Sequence, residues 1–233
     1  MTWILTNDDG VGAPGLLALA QAVAGEGVIV APQEPRSGCS HQVTTTHPLQ
    51  VQRRLLTKFA NYQVSTYAIA GTPADCVRVA LNHLYPDLKL VLSGINSGAN
   101  LGVDTYISGT VAAVREAAFH RIPGIAISHY RQGKRPIDWQ IAVSLSADVI
   151  AKLLTFPLEP GSFWNVNLPH LKPGDPAPEI VFCPSCTQPL PVHYRVEGED
   201  LYYMAEYASR DRIPGTDVDV CFSGHIAVTQ IHL

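Results

Sequence analysis

Two adjacent carboxylates, Asp8 and Asp9, follow directly on the strand-like run TWILT at residues 2–6. Neighbouring acids repel, and a hard divalent cation is the simplest means of keeping both ionised. The plainer alternative is a turn in which one acid caps a helix and the other is merely solvated. Three further polar loops could share the same chemistry. Arg36-Ser37-Gly38-Cys39-Ser40-His41 offers hydroxyls and an imidazole to a metal or a phosphate, or is only a glycine-containing turn. Ser93-Gly94-Ile95-Asn96-Ser97-Gly98-Ala99-Asn100 is too rich in glycine for a helix. It brings the amide oxygen of Asn96, a neutral ligand suited to a hard cation that already faces carboxylates. Ser108-Gly109-Thr110 opens a helix whose free N–H groups and dipole suit a phosphate, although N-capping by Ser108 or Thr110 accounts for the same residues.

A competing pattern overlaps the acids. Gly10-Val11-Gly12-Ala13-Pro14-Gly15 matches G-x-G-x-x-G between a strand and a helix, with Glu34 in the place of the ribose-binding acid, as in an NAD-type dinucleotide-binding oxidoreductase. In that reading Asp8 and Asp9 would face a pyrophosphate with negative charge. A third reading, a non-catalytic nucleotide-binding protein, needs only a phosphate at a helix N-terminus, but gains little from two acids beside it.

The surrounding elements alternate in type. The strand at residues 2–6 leads into a helix from Pro14 to Ala24, then an apolar run from Val28 to Ala31, which is a βαβ unit and calls for a parallel sheet. Thr72-Pro73-Ala74-Asp75 reads as a capping box opening a helix, with the next strand at Leu88 to Leu92. A helix from Val111 to Phe119, a strand from Gly124 to Ser128 and a helix from Ile137 to Leu154 follow. Beyond Pro169 proline becomes frequent, Val192 to Val196 and Leu201 to Met204 flank a hairpin turn at Glu197-Gly198-Glu199-Asp200, and Ile226 to Ile231 gives a last strand. The expected architecture is α/β: a Rossmann-like three-layer core with a mainly parallel sheet over residues 1–168. Residues 169–233 form a β-rich extension with a protruding hairpin, suited to oligomerisation.

Composition narrows the function classes. The 233 residues are 46% hydrophobic and 15% charged, which supports one sizeable core and excludes disorder as the main state. A net charge of -4 gives no basic field for a nucleic-acid polymer or a membrane surface, and no apolar run is long enough to cross a bilayer. A small anionic substrate therefore needs local help from a metal or a helix N-terminus. The opening MTWILTNDDG has no export-signal pattern, and five scattered cysteines suit reduced thiols in the cytoplasm. Cys183-Pro184-Ser185-Cys186 has C-x-x-C spacing but neither a second pair nor a following helix, so it supports neither a zinc knuckle nor a redox site. His83, His120 and His129 read as surface or core positions.

Taken in order, TNDDGVGAPGLLAL (6–19), APQEPRSGCS (31–40), GTPADCV (71–77), LSGINSGANLG (92–102), YISGTVAAVREA (106–117) and, more weakly, PGTDVDV (214–220) resemble the SurE (survival protein E) family of metal-dependent nucleotidases. The resemblance assigns Gly10 and Gly12 to the family's NDDG turn and removes the dinucleotide pattern. It implies a phosphomonoesterase that hydrolyses nucleoside monophosphates, a 5′-nucleotidase first, with 3′-nucleotidase and exopolyphosphatase activity in the same expectation. It also implies one divalent ion per subunit, Mg²⁺ or Mn²⁺, held by Asp8, Asp9, Ser37 and Asn96, and a phosphate-contacting loop at Ser108, Gly109 and Thr110. Asn7 is expected to orient the Asp pair or the substrate. A homodimer or homotetramer is implied as well.

Overall fold

The computed structural model of the chain describes residues 2–55, 64–172, 174–204 and 206–233. In chain order the elements are β1 (Thr2–Thr6), α1 (Pro14–Ala22), β2 (Val28–Pro32), β3 (Val51–Leu55), β4 (Ser65–Ile69), α2 (Pro73–Val79), β5 (Leu88–Ser97), α3 (Gly109–Phe119) and β6 (Gly124–His129). They continue with α4 (Trp139–Leu153), β7 (Ser162–Leu168), β8 (Ile180–Phe182), β9 (Tyr194–Glu197), β10 (Asp200–Tyr203), α5 (Asp217–Phe222) and β11 (Ile226–His232).

Among the described residues, nine strands form one sheet in the order β3-β4-β2-β1-β5-β6-β7-β11-β8. The run from β4 to β7 is parallel, while β3 and β11 pair antiparallel with β4 and β7. Strand alternation supplies the layers. Leu5, Ile29, Leu90 and Leu92 point to the face covered by α1 and α4, and Ile4, Val30 and Val91 to the face covered by α2 and α3. Strand order reverses between β1, whose successor β2 lies on one side, and β5 on the other. In open α/β sheets the ligand crevice forms at such a switch point, beyond the strands' carboxyl ends.

Helix starts follow their local chemistry. Thr72 and Asp75 form the expected capping box on α2, Ser108 accepts from the Val111 N–H at the start of α3, and Asp138 caps α4. The expected glycine loop after residue 92 is instead strand: β5 continues to Ser97, with its register against β6 shifted between Ser93 and Asn96 and a cis peptide at Gly94-Ile95. Gly94 permits this course. Its φ is +143°, and a Cβ there would stand 2.3 Å from the Ile127 carbonyl oxygen.

Residues 169–233 do not stand apart as a whole, because β8 and β11 extend the core sheet. A third apolar cluster, built around Leu101, Val218, Cys221 and Ala227, seats α5 against that edge. The expected hairpin forms at β9 and β10, turning at Gly198, and is a separate two-stranded sheet. No helix among the described residues is long and apolar enough to cross a membrane.

Candidate active site at the carboxyl edge

The turn after β1 is held by backbone geometry. The Asn7 side chain donates to the Gly10 carbonyl at 3.0 Å, the Arg36 N–H donates to the Asp8 carbonyl at 2.7 Å, and Gly10 has φ +98°. Gly15 lets α1 approach β5, since a Cβ there would lie 1.9 Å from the Ile95 carbonyl oxygen. Gly10 and Gly15 thus serve a tight turn and helix–strand packing, which a carboxylate-bearing turn needs as much as a dinucleotide site does.

Asp8, Asp9, Ser37, Asn96, Ser108 and Gly109 all line one open cleft of about 350 Å³ at the switch point. Asp8 is buried, and its Oδ1 accepts from the Thr110 hydroxyl at 2.5 Å. Burial pushes the Asp8 carboxyl up to about 6; the Thr110 hydrogen bond opposes that rise and the charge of Asp9 adds to it. Burial also raises Asp9. The Asn96 side-chain N–H donates to the Gly98 carbonyl at 2.9 Å, which leaves its amide oxygen as the group's remaining donor atom toward a ligand.

Two of the expected residues do not line the cleft. Asn7 is buried behind the acids and fixes the turn, and Thr110 is buried with its hydroxyl committed to Asp8. The group Thr110 leaves to the start of α3 is its backbone N–H, and the Ser108 hydroxyl is likewise engaged as the N-cap. The α3 N-terminus reaches the acids because residue 109 is glycine: a Cβ there would be 2.9 Å from the Asp8 Cβ.

Sequence reasoning missed the far wall. Asn100, Asp104 and Tyr207 also line the cleft. Asp104 is buried, accepts from Arg210 Nη1 at 2.7 Å and from the Leu101 N–H at 3.1 Å, and receives the Tyr207 hydroxyl. Asn100 is tied by its N–H to Asn167 Oδ1 at 2.8 Å and by its side chain to the Ser128 hydroxyl at 2.7 Å. The GVD run marked Asp104 only as part of a loop, and no local pattern brings Tyr207 to it from 103 residues away.

The donor set fits a hard divalent cation. Its oxygens are two carboxylates, a hydroxyl and an amide, with no thiolate or imidazole, and among the described residues no Lys, Arg or His lines the cleft to balance Asp8 and Asp9. No cluster of three or more His, Cys, Asp or Glu side chains able to hold a metal occurs among the described residues, as expected of a set with only two carboxylates. All five cysteines are free, and Cys183 and Cys186 are buried in the third apolar cluster.

The family model of Survival protein SurE matches residues 3–188. A protein of Nostoc sp. is 61% identical over 234 residues, spanning 100% of both chains. The 5′-nucleotidase SurE of Xylella fastidiosa is 34% identical over 249 residues, covering 100% of this chain and 90% of its own. The crystal structure of the SurE protein from Aquifex aeolicus superposes with a TM-score of 0.82 at 31% identity, over 100% of this chain and 93% of that one.

Proposed function

The chain belongs to the survival protein SurE family, and from that premise we propose that it is a metal-dependent phosphomonoesterase, a 5′-nucleotidase that splits nucleoside monophosphates into nucleoside and phosphate. The observation that carries this reading is the meeting of four hard oxygen donors with a helix N-terminus in one cleft whose lining, among the described residues, includes no cationic side chain. Asp8, Asp9, Ser37 and Asn96 would hold one Mg²⁺ or Mn²⁺. When bound, the ion supplies positive charge to the phosphoryl oxygens and acidifies a neighbouring water.

The chain's own groups do the positioning. The first N–H groups of α3, at Gly109 and Thr110, point the positive end of a helix dipole at the phosphoryl group. The Thr110 hydroxyl fixes the rotation of the Asp8 carboxylate, so the carboxylate faces the cleft in one orientation. Asn7 holds the turn from behind. Asp9, the more exposed of the pair, is the better situated to take a proton from attacking water, through a carboxylate oxygen not given to the ion. Substrates with other terminal phosphoryl groups, 3′-nucleotides and short polyphosphates, belong to the same expectation.

A dinucleotide oxidoreductase has no such support, since Asp8 and Asp9 occupy the place where a pyrophosphate would sit. Five free thiols support a cytoplasmic site of action. The hairpin within residues 169–233 supports assembly as a homodimer or homotetramer: Val192, Val196, Leu201 and Tyr203 are 68%, 64%, 63% and 59% exposed, more apolar surface than an isolated arm should present to water.

The test is phosphate release from a panel of nucleoside 5′-monophosphates with Mg²⁺, with Mn²⁺ and after chelation. Release that stops on chelation and returns with metal is expected. Absence of release from every member under all conditions would overturn the reading.

A further inference from the structure

Glu116 of α3 is fully buried, yet it carries hydrogen bonds from three basic side chains on three segments. His41 Nε2 lies 2.8 Å from one carboxylate oxygen, Arg78 Nε of α2 donates to the other at 2.7 Å, and His120 Nε2 lies 3.2 Å away at the end of α3. Burial raises the Glu116 carboxyl, but the hydrogen bonds from His41 and Arg78, the Arg78 charge and the His120 bond outweigh it and bring it down to about 2. A buried ion cluster of this kind is weak evidence for stability, because desolvation offsets much of the attraction; setting register between segments is its better attested use.

The segment registered here is the loop that carries Ser37. Its near end is tied by the Arg36 N–H to the Asp8 carbonyl. Its far end is tied by His41, whose ring is gripped on both nitrogens: Arg115 Nη1 lies 3.4 Å from Nδ1, while Nε2 faces Glu116. A guanidinium accepts no hydrogen bond, so Nδ1 is the acceptor and Nε2 carries the hydrogen that Glu116 takes. The ring also stacks on Phe119 with centroids 5.1 Å apart. Arg115 bonds in addition to the Thr105 carbonyl, so the same turn of α3 holds the loop bearing Asp104. Ser37 itself is exposed, and its loop is held beside Asp8 by the Arg36 tie on one side and, on the other, by His41 together with the Ser40 hydroxyl, which donates to the Tyr106 carbonyl at 3.0 Å.

We propose that His41, held between Arg115 and Glu116 of α3, is a positioning residue that keeps Ser37 in register with Asp8 and Asn96 and thereby sets the affinity of the cleft for its divalent cation. The inference rests on the metal site proposed above. His41 touches neither cation nor substrate; its effect passes through the loop. It predicts a specific division of effects, in which metal affinity falls while turnover at saturating metal is retained.

The experiment is calorimetric titration of the intact protein with Mn²⁺, for the parent, His41→Ala and His41→Gln, alongside turnover at saturating Mn²⁺ and thermal unfolding. Groups that hydrogen-bond metal ligands directly are worth about 10–100-fold in metal affinity, and His41, acting through its loop, is expected at the low end of that range. His41→Ala is expected to bind Mn²⁺ at least about tenfold more weakly with turnover within about twofold of the parent at saturation. His41→Gln should recover most of the affinity, since its amide can still donate to Glu116. Should His41→Ala fail to fold, His41→Asn, too short to reach Glu116, takes its place with the same expectation. An affinity within twofold of the parent in the truncated variant overturns the proposal, as does a glutamine variant no better than alanine. No Mn²⁺ binding by the parent would instead overturn the metal site, and this inference with it.

Discussion

At the carboxyl end of β1, Asp8 and Asp9 border an open cleft of about 350 Å³, whereas near the amino end of the same strand Trp3 joins Leu90, Ile125, Phe156 and Trp164 around a largely apolar pocket of about 260 Å³. The two ends of the sheet answer to different physics. The amino end is stabilised by area removed from water and tolerates any arrangement that fills the space. The carboxyl end keeps Asp8 buried, which is tolerable only because the Thr110 hydroxyl bonds its carboxylate and Asn7 and Arg36 hold the turn that carries it. Stability and chemistry are thus separated along single strands, and substitutions at the two ends should have separable consequences.

The largest effect is expected from Asp9→Asn. It preserves shape and removes one charge at a strand end, so phosphate release should fall at least about 100-fold while the unfolding midpoint moves little. Excess metal should recover only part of the loss. Activity within a few-fold of the parent would remove the contrast between the edges.

Trp164→Ala probes the opposite end. Trp164, on β7 beside Ile125 of β6, is 7% exposed in the apolar cluster under α1 and α4, and its truncation should lower stability by about 3–5 kcal/mol in urea unfolding. Phosphate release per folded molecule should stay within about twofold. A specific loss of turnover without loss of stability would show that the amino edge communicates with the cleft.

Gly109→Ala sharpens the boundary. The added methyl would meet the Asp8 Cβ at 2.9 Å and Oδ2 at 3.2 Å, so either the acid or the helix start must move. Turnover should drop about tenfold with a stability cost of about 1–3 kcal/mol, measured by the same two assays. An unchanged enzyme would mean that the approach of α3 to Asp8 is not what aligns the cleft.

The hairpin belongs to neither edge. Val196→Asp with Leu201→Asp places charge on its exposed apolar face and should shift the sedimenting species from dimer or larger toward monomer at micromolar concentration, with a folded core. A parent that already sediments as a monomer would refute the hairpin's role in assembly without touching the metal site.

Much of this organisation was legible in the sequence, for reasons that also explain what was not. The strands β1, β2 and β6 and the helices α1, α3 and α4 are wholly or partly apolar with clear periods, so their types followed from pattern. β3 reads VQRRL, an exposed edge strand with no apolar alternation, and gave no signal. β7 is buried throughout, but Asn165 and Asn167 interrupt its apolar run; their side-chain N–H groups donate to the Asn100 carbonyl, a partner no local reading supplies, and the buried Asn165 Oδ1 is left without a partner among the described residues. At the cleft, Asp8, Asp9, Ser37 and Asn96 stand on loops or strand ends near the switch point and are visible as motifs. Tyr207 and Arg210 come from the segment after the hairpin and reach Asp104 only through the packing of the third cluster.

The most direct measurement of the central claim, that the carboxyl edge carries one divalent-cation site, is anomalous diffraction from crystals of the protein grown with Mn²⁺. The account predicts a single strong anomalous peak per subunit, bonded to side-chain oxygens of Asp8, Asp9, Ser37 and Asn96. A peak bound by other residues, or none at a Mn²⁺ concentration that supports phosphate release, would contradict it.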